Sequence, residues 1–421
     1  MRPLQPLTGH HFDLDHNATA PLHPLARAAM AEVLDLDPGN PSSIHGRGQA
    51  GRALVERARR QLAQALAVAP AELALTSGAT ESNVLAWRGV LEPMLAAGRR
   101  PTVVTTVVEH PSIRALAAAY RQRGVDVREI AVDDQGRWDL EPLPALLCAP
   151  ALALVSVMLV NNETGIVHPV QQVALAARSL GAVVHSDATQ AVGRIPLDIA
   201  TLGVDLLSLS GHKFGGPKGT GALWLRSGVP ITAVAPGHQE LAVRAGTENV
   251  IGVVGMGAAA TALPNRLGQA PTVRATRDAL WPLLAQLGAD RNAMVAPEDE
   301  TGHVLNLSFH GVAAPVLVMA LDLAGVLASA GSACASGTLE PSHVQLAMHS
   351  DRGEGLQRAK AALRLSLGPD CDLNRVADIA AIFGRVLARL RSHLPAEVPG
   401  ATQAQSASIG QLHNHLRLQR Y

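Results

Sequence analysis

Short apolar runs recur along the first two-thirds of the chain. Leu73–Thr76, Thr102–Val107, Val125–Ile130, Leu152–Val160, Val183–His185 and Leu206–Ser210 read as buried strands. Between several of them lie Ala-, Leu- and Arg-rich stretches of helical period, such as Ile113–Arg123 and Val173–Leu180. Strands alternating with helices predict an α/β fold with a mostly parallel sheet covered by helices. The remainder reads differently. A very apolar, glycine-rich segment (Val250–Ala262) leads to a helix over Val273–Leu287. Strand candidates follow at Val304–Phe309 and Leu363–Leu367, with helices at Pro315–Leu323 and Asn374–Leu394. The expected organisation is a large domain over residues 23–262. A smaller α+β domain is expected from residues 1–22 and 263–421, with a polar stretch from Pro399 to Tyr421.

Composition narrows the function classes. The 421 residues carry no formal net charge, and aromatics make up only 2%. Neither a basic field nor stacking platforms for nucleic acid are available. Leu143–Val160 carries no charge and approaches spanning length, but Pro144 and Pro150 interrupt it. It reads as a helix end, a turn and a buried strand, so no membrane partner is expected. Three cysteines (Cys148, Cys334 and Cys371) make no disulfide framework and fit a reducing, cytoplasmic location. No Cys-x-x-Cys or His-Glu-x-x-His spacing occurs, so no metal site is expected.

The chemistry starts from lysine. Only Lys213, Lys218 and Lys360 occur, and two of them fall within Ser210–Gly219, directly after a strand candidate. An ε-amine forms a Schiff base with an aldehyde, and a guanidinium does not. Asp187 follows the preceding strand candidate. If the two strands are parallel, acid and amine emerge at the same sheet edge, where α/β proteins bind ligands. That pair suits pyridoxal 5′-phosphate (PLP), whose ring nitrogen a carboxylate keeps protonated; a helix cap is the other reading of Asp187. Thr76-Ser77-Gly78-Ala79-Thr80 joins a strand to a helix and offers small residues and free N–H groups to a phosphate. His110 and Asn162 each follow a strand, as a ring contact, a substrate contact or a loop turn. Cys334 sits among Gly, Ser and Ala, as a thiol that moves to a substrate and leaves again would require. Cys148, among Leu, Ala and Pro, is expected to be buried and inert. Cys371, between Asp370 and Asp372, is expected to hold its proton. Arg364 lies inside a short apolar strand and either binds a carboxylate or faces solvent from an edge.

Taken in order, these segments resemble the cysteine desulfurases of the class V aminotransferase group. The resemblance runs from Leu14–Thr19 through Thr76–Asn83, Asn161–Gly165, Asp187–Gln190, Ser210–Lys213, Arg244–Asn249 and Gly331–Pro341 to Leu365–Gly368. It implies PLP fold-type I, with a mostly parallel seven-stranded sheet in the large domain and the cysteine loop on the small one. It implies PLP on Lys213, Asp187 at the ring nitrogen, Gln190 and Asn162 at the ring, and His110 stacked on it. Thr80, Ser210 and His212 would hold the phosphate, and Thr247 would reach the phosphate of a second copy, making a homodimer. Arg364 with Asn162 would bind the carboxylate of L-cysteine. Lys213 would move the substrate proton, with His110 as a further catalytic group. Cys334 would take the sulfur as a persulfide, leaving alanine, for an iron–sulfur scaffold or sulfur-carrier protein. Residues 244–247 read Arg-Ala-Gly-Thr where the family more often has Arg-Ser-Gly-Thr.

Overall fold

A computed structural model describes residues 12–234, 237–331, 341–349 and 355–392. The apolar runs form a seven-stranded sheet. In chain order its strands are β1 (Leu73–Thr76), β2 (Thr102–Thr106), β3 (Asp126–Ile130), β4 (Leu152–Met158), β5 (Val183–Asp187), β6 (Leu206–Ser210) and β7 (Gly221–Leu225). Their spatial order is β1-β7-β6-β5-β4-β2-β3. Neighbours from β3 to β6 are parallel, and β7 runs antiparallel between β1 and β6. Strand β7 was not expected from the sequence; its glycine start follows a Gly-Pro-Lys-Gly turn that masks the apolar run. Gly221 is needed where β7 passes the β1 loop, because a Cβ there would lie 2.6 Å from Gly78 Cα and 2.5 Å from Leu209 O.

Both faces of the sheet are buried. On one face pack the helices Pro24–Leu36, Gly46–Leu66, Val170–Arg178 and Val250–Ala260. On the other pack Ala79–Ala96 and Pro111–Gln122. The Val250–Ala260 helix is apolar on all sides, as a helix enclosed by neighbours requires. Among the described residues no single helix is long and apolar enough to cross a membrane. The Leu143–Val160 stretch resolves into a short helix (Leu143–Leu147), a turn and β4.

A second core gathers Phe12 and Leu14 with apolar residues from Val273 to Leu387. It is built on a four-stranded antiparallel sheet, β10-β11-β9-β8, formed by β8 (Ala289–Arg291), β9 (Val304–Phe309), β10 (Ser329–Ala330) and β11 (Ala362–Ser366). The helices Ala270–Ala285, Ala314–Leu323 and Val376–Ser392 cover it. The segment Phe12–Thr19 joins the two sheets. Phe12–Asp13 pairs with Val326–Leu327, and His16 N donates to Ser366 O at 3.1 Å. Ala20 N donates to His212 O at 2.9 Å.

Candidate active site

The parallel strands β1, β2, β4, β5 and β6 end at one edge, and their carboxyl ends line a cavity of about 530 Å³. That volume is ordinary for a cofactor site. Thr80, His110, Asn162, Asp187, Gln190, Ser210, His212, Lys213 and Arg364 all face it. Nine positions picked from separate segments therefore converge. Thr247 does not line this cavity. It is exposed, and its Oγ1 lies 3.5 Å from Asn40 Nδ2. Cys334 lies outside the described residues.

Lys213 closes a 3₁₀ turn directly after β6. Its Nζ donates to the carbonyls of Asn17 (2.6 Å) and Ala18 (3.0 Å), which the joining segment presents. Asp187 ends β5, whose register places it opposite Ser208 on β6. Its Oδ1 accepts from Thr189 N at 3.0 Å, and its Oδ2 accepts from Asn83 Nδ2 at 2.9 Å. The same Asn83 amide donates to Ser112 Oγ at 3.0 Å, and that hydroxyl lies 2.9 Å from His110 Nδ1. One run of hydrogen bonds thus links His110 to Asp187. Asn83 lies inside the Thr76–Asn83 segment, but the sequence gives no signal for this role.

Below Asp187 lies a fully buried network. Trp87 Nε1 donates to Ser156 Oγ (2.8 Å), which meets His185 Nδ1 (2.8 Å), and His185 Nε2 meets Ser208 Oγ (2.9 Å). Burial pushes the His185 imidazole down to about 4, against the opposing pull of Asp187, so the ring is neutral at neutral pH. Burial, followed by the charges of Lys213 and Lys218, likewise pushes His212 down to about 4. A neutral His212 offers one N–H to an anion without adding charge. Burial drives Glu109 up to about 8, although Met158 N and Thr106 Oγ1 both donate to it.

The loop start after β1 is held by acids that the sequence did not single out. Glu81 accepts from Ser77 N at 2.5 Å and pairs with Arg244 at 3.1 Å, tying this cradle to the Arg244–Asn249 segment. Upstream, Glu240 is buried and receives both guanidinium nitrogens of buried Arg59 (2.7 and 2.8 Å) and Leu75 N of β1 (2.6 Å). Glu240, Leu241 and Ala242 all have positive φ (44°, 58° and 58°). Such a left-handed run is unusual without glycine.

Arg364 is buried, and β11 lies between β9 and β10, so the solvent-facing edge reading does not hold. Its guanidinium donates to Asn162 O (3.1 Å) and Asp15 Oδ1 (2.8 Å), leaving Nε without a partner. Asn162 Oδ1, Gln190 Oε1 and Thr189 Oγ1 are also buried without partners, and all three residues line the cavity. Buried polar atoms are rarely left so. Four of them around one cavity fit a polar, ring-sized guest. Glu163, fully buried, accepts from Ser342 Oγ at 2.5 Å; burial pushes its carboxyl up, against that bond and the nearby Arg364 charge.

Cys148 is exposed, not buried: the helix Leu143–Leu147 ends before it, and its carbonyl accepts from Arg128. Burial, with Asp370 and Asp372 adding to it, pushes the Cys371 thiol up to about 11.

An amine and a carboxylate on adjacent strand ends, beside a small-residue helix start, define an α/β enzyme of the pyridoxal-phosphate type. The aminotransferase class-V pattern matches residues 13–379, and the chain belongs to that family, whose members are PLP enzymes. It is 41% identical over 386 residues to the cysteine desulfurase of Cereibacter sphaeroides, covering 91% of this chain and 97% of that one. It is 39% identical over 339 residues to the cysteine desulfurase NifS of Azotobacter vinelandii, covering 80% and 83%. The solved structure of a NifS-like protein superposes with a TM-score of 0.82 at 32% identity, over 90% of this chain and 99% of that one.

Proposed function

We propose that the protein is a PLP-dependent cysteine desulfurase that carries its cofactor on Lys213 and hands on sulfur as a persulfide of Cys334. The observation that carries this reading is the placing of the Lys213 amine and the Asp187 carboxylate at adjacent strand ends of one cavity. The unpartnered atoms of Asn162, Thr189 and Gln190 support the same guest. PLP supplies an aldehyde for an amine and a ring that withdraws electrons from the substrate. Asp187, fixed by Asn83 and Thr189, holds a proton at the ring nitrogen. Thr80, Ser210 and His212 hold the phosphate, and His110 covers the ring face. Thr247, outside its own cavity, serves a second copy, so the working unit is a homodimer.

Arg364, with Asn162, binds the carboxylate of L-cysteine. Lys213 takes the substrate Cα proton and returns it to carbon. The Cys334 thiolate then attacks the substrate sulfur. The Cβ–S bond breaks as an S–S bond forms, giving alanine and a persulfide with no external oxidant or reductant. An iron–sulfur scaffold or a sulfur-carrier protein takes the sulfur, in a reducing cytoplasmic compartment. Mass spectrometry after incubation with L-cysteine tests this directly. One extra sulfur is expected on the Cys334 peptide, together with alanine in solution. Cys334→Ala should keep the yellow cofactor and lose at least a hundredfold in sulfide release with a reductant. Full sulfide release by that variant would refute the assignment.

A further inference from the structure

A second, smaller cavity lies at the seam of the two cores, lined by Gly193, Arg194, Arg266, Thr301 and His303 among others. Arg194 is 6% exposed. One of its nitrogens donates to His16 O at 3.0 Å, another touches His303 Nε2, and its Nε has no partner. No carboxylate pairs with it among the described residues. His303 Nε2 also lies 2.7 Å from Asn17 Oδ1. If that nitrogen carries its proton toward Asn17, it cannot accept from Arg194. The Arg266 guanidinium makes no hydrogen bond or close ion pair among the described residues, and Asp370, which is paired with His16, is the acid whose charge favours it. It packs over Gly193, where a Cβ would lie 3.0 Å from Arg266 Cδ. Thr301 Oγ1 and His303 Nδ1 are buried without partners as well.

The acids nearby are already engaged. Glu300 is shared by Arg274, Arg277 and Arg291, and Asp370 pairs with His16 at 2.9 Å. Burial, then Arg266 and Arg364, disfavour the charged form of Arg194. A buried cation of this kind requires a counter-charge. We propose that this cavity binds a small inorganic monoanion of the chloride class, held by Arg194, Arg266 and Thr301, which ties the two cores together. Size selects the class. The cavity is about 30 Å³, against roughly 10–15 Å³ for one water. A halide fits this space. The site is independent of the sulfur chemistry proposed above, though Asn17 touches both: its side chain meets His303 and its carbonyl meets Lys213.

The test uses the full-length protein with its cofactor, melted in sodium chloride, sodium bromide and sodium gluconate at equal ionic strength. A saturable rise in midpoint is expected with the two halides and not with gluconate. Arg266→Gln should raise the half-saturating halide concentration at least tenfold, and Arg194→Gln should abolish saturation. Crystals grown in bromide should show an anomalous peak between Arg194 and Thr301; this arm stands even if Arg194→Gln does not fold. Equal midpoints in halide and gluconate, or a cavity without bromide, would overturn the proposal.

Discussion

Removing the Glu240 carboxylate should destabilise the protein far more than a typical substitution. Glu240→Ala deletes three hydrogen bonds, two from Arg59 and one from Leu75 N, and leaves the Arg59 guanidinium buried without its partner. The remaining acceptors for Arg59 are Leu73 O, at 2.6 Å, and Glu56, at 3.2 Å. Breaking one side of a buried pair costs about 3–5 kcal/mol. Arg59→Leu/Glu240→Leu removes both charges but leaves Leu75 N without its acceptor, so it should cost about 1–3 kcal/mol, less than Glu240→Ala. Urea unfolding followed by circular dichroism at fixed protein concentration measures all three proteins. The reasoning fails if Glu240→Ala costs under about 1 kcal/mol, or if the double variant is no more stable than the single one. The loss should also reach the cofactor: Glu240 lies four residues before Arg244, whose link to Glu81 ties that segment to the loop after β1.

Two further outcomes are expected. Burial holds the Glu109 carboxyl up at about 8 in the folded state, well above the ordinary carboxylate range. Its protonated form therefore favours the folded state below about pH 4.5, and that advantage is lost as pH rises toward 8. Glu109→Gln keeps the acceptor used by Met158 N and Thr106 Oγ1. It should be flatter in stability from pH 5 to 8 and gain up to roughly 4 kcal/mol on the parent at pH 8; parallel curves would contradict the shift. Ala242, exposed at φ 58°, should be replaced by glycine with a gain of about 0.5–1 kcal/mol, after the extra chain entropy is subtracted. A lower unfolding midpoint for Ala242→Gly would count against that turn.

Most of the strands that were legible are buried along an apolar run, although Asp126–Ile130 at the sheet edge is only partly buried. Leu73–Thr76 and Leu206–Ser210 coincide with β1 and β6. The convergence of Lys213, Asp187 and Thr80 was legible for the same reason, because parallel strands end at a shared edge. Charged pairs across the fold were not. Arg364 meets Asp15 at a separation of 349 residues, and Arg59 meets Glu240 at 181. No periodicity marks either partner. Cys148 was misread because apolar neighbours in sequence say little about exposure where a helix has just ended. The Arg194 cavity was equally invisible, since its lining comes from segments of both cores.

Lys213 rests on two carbonyls near the start of the chain, and that start is itself fastened to the far end. Asn17 N donates to Ser366 Oγ at 2.9 Å, across 349 residues. During synthesis, residues 14–19 therefore emerge long before Ser366, the partner that fastens them. The seven-stranded sheet can assemble while the lysine still lacks its cradle, and only the arrival of β11 completes the pocket. A nascent chain halted before Ser366 would carry the lysine, the carboxylate and the loop after β1, yet not the closed site. Cofactor capture should accordingly follow the emergence of Ser366 rather than precede it.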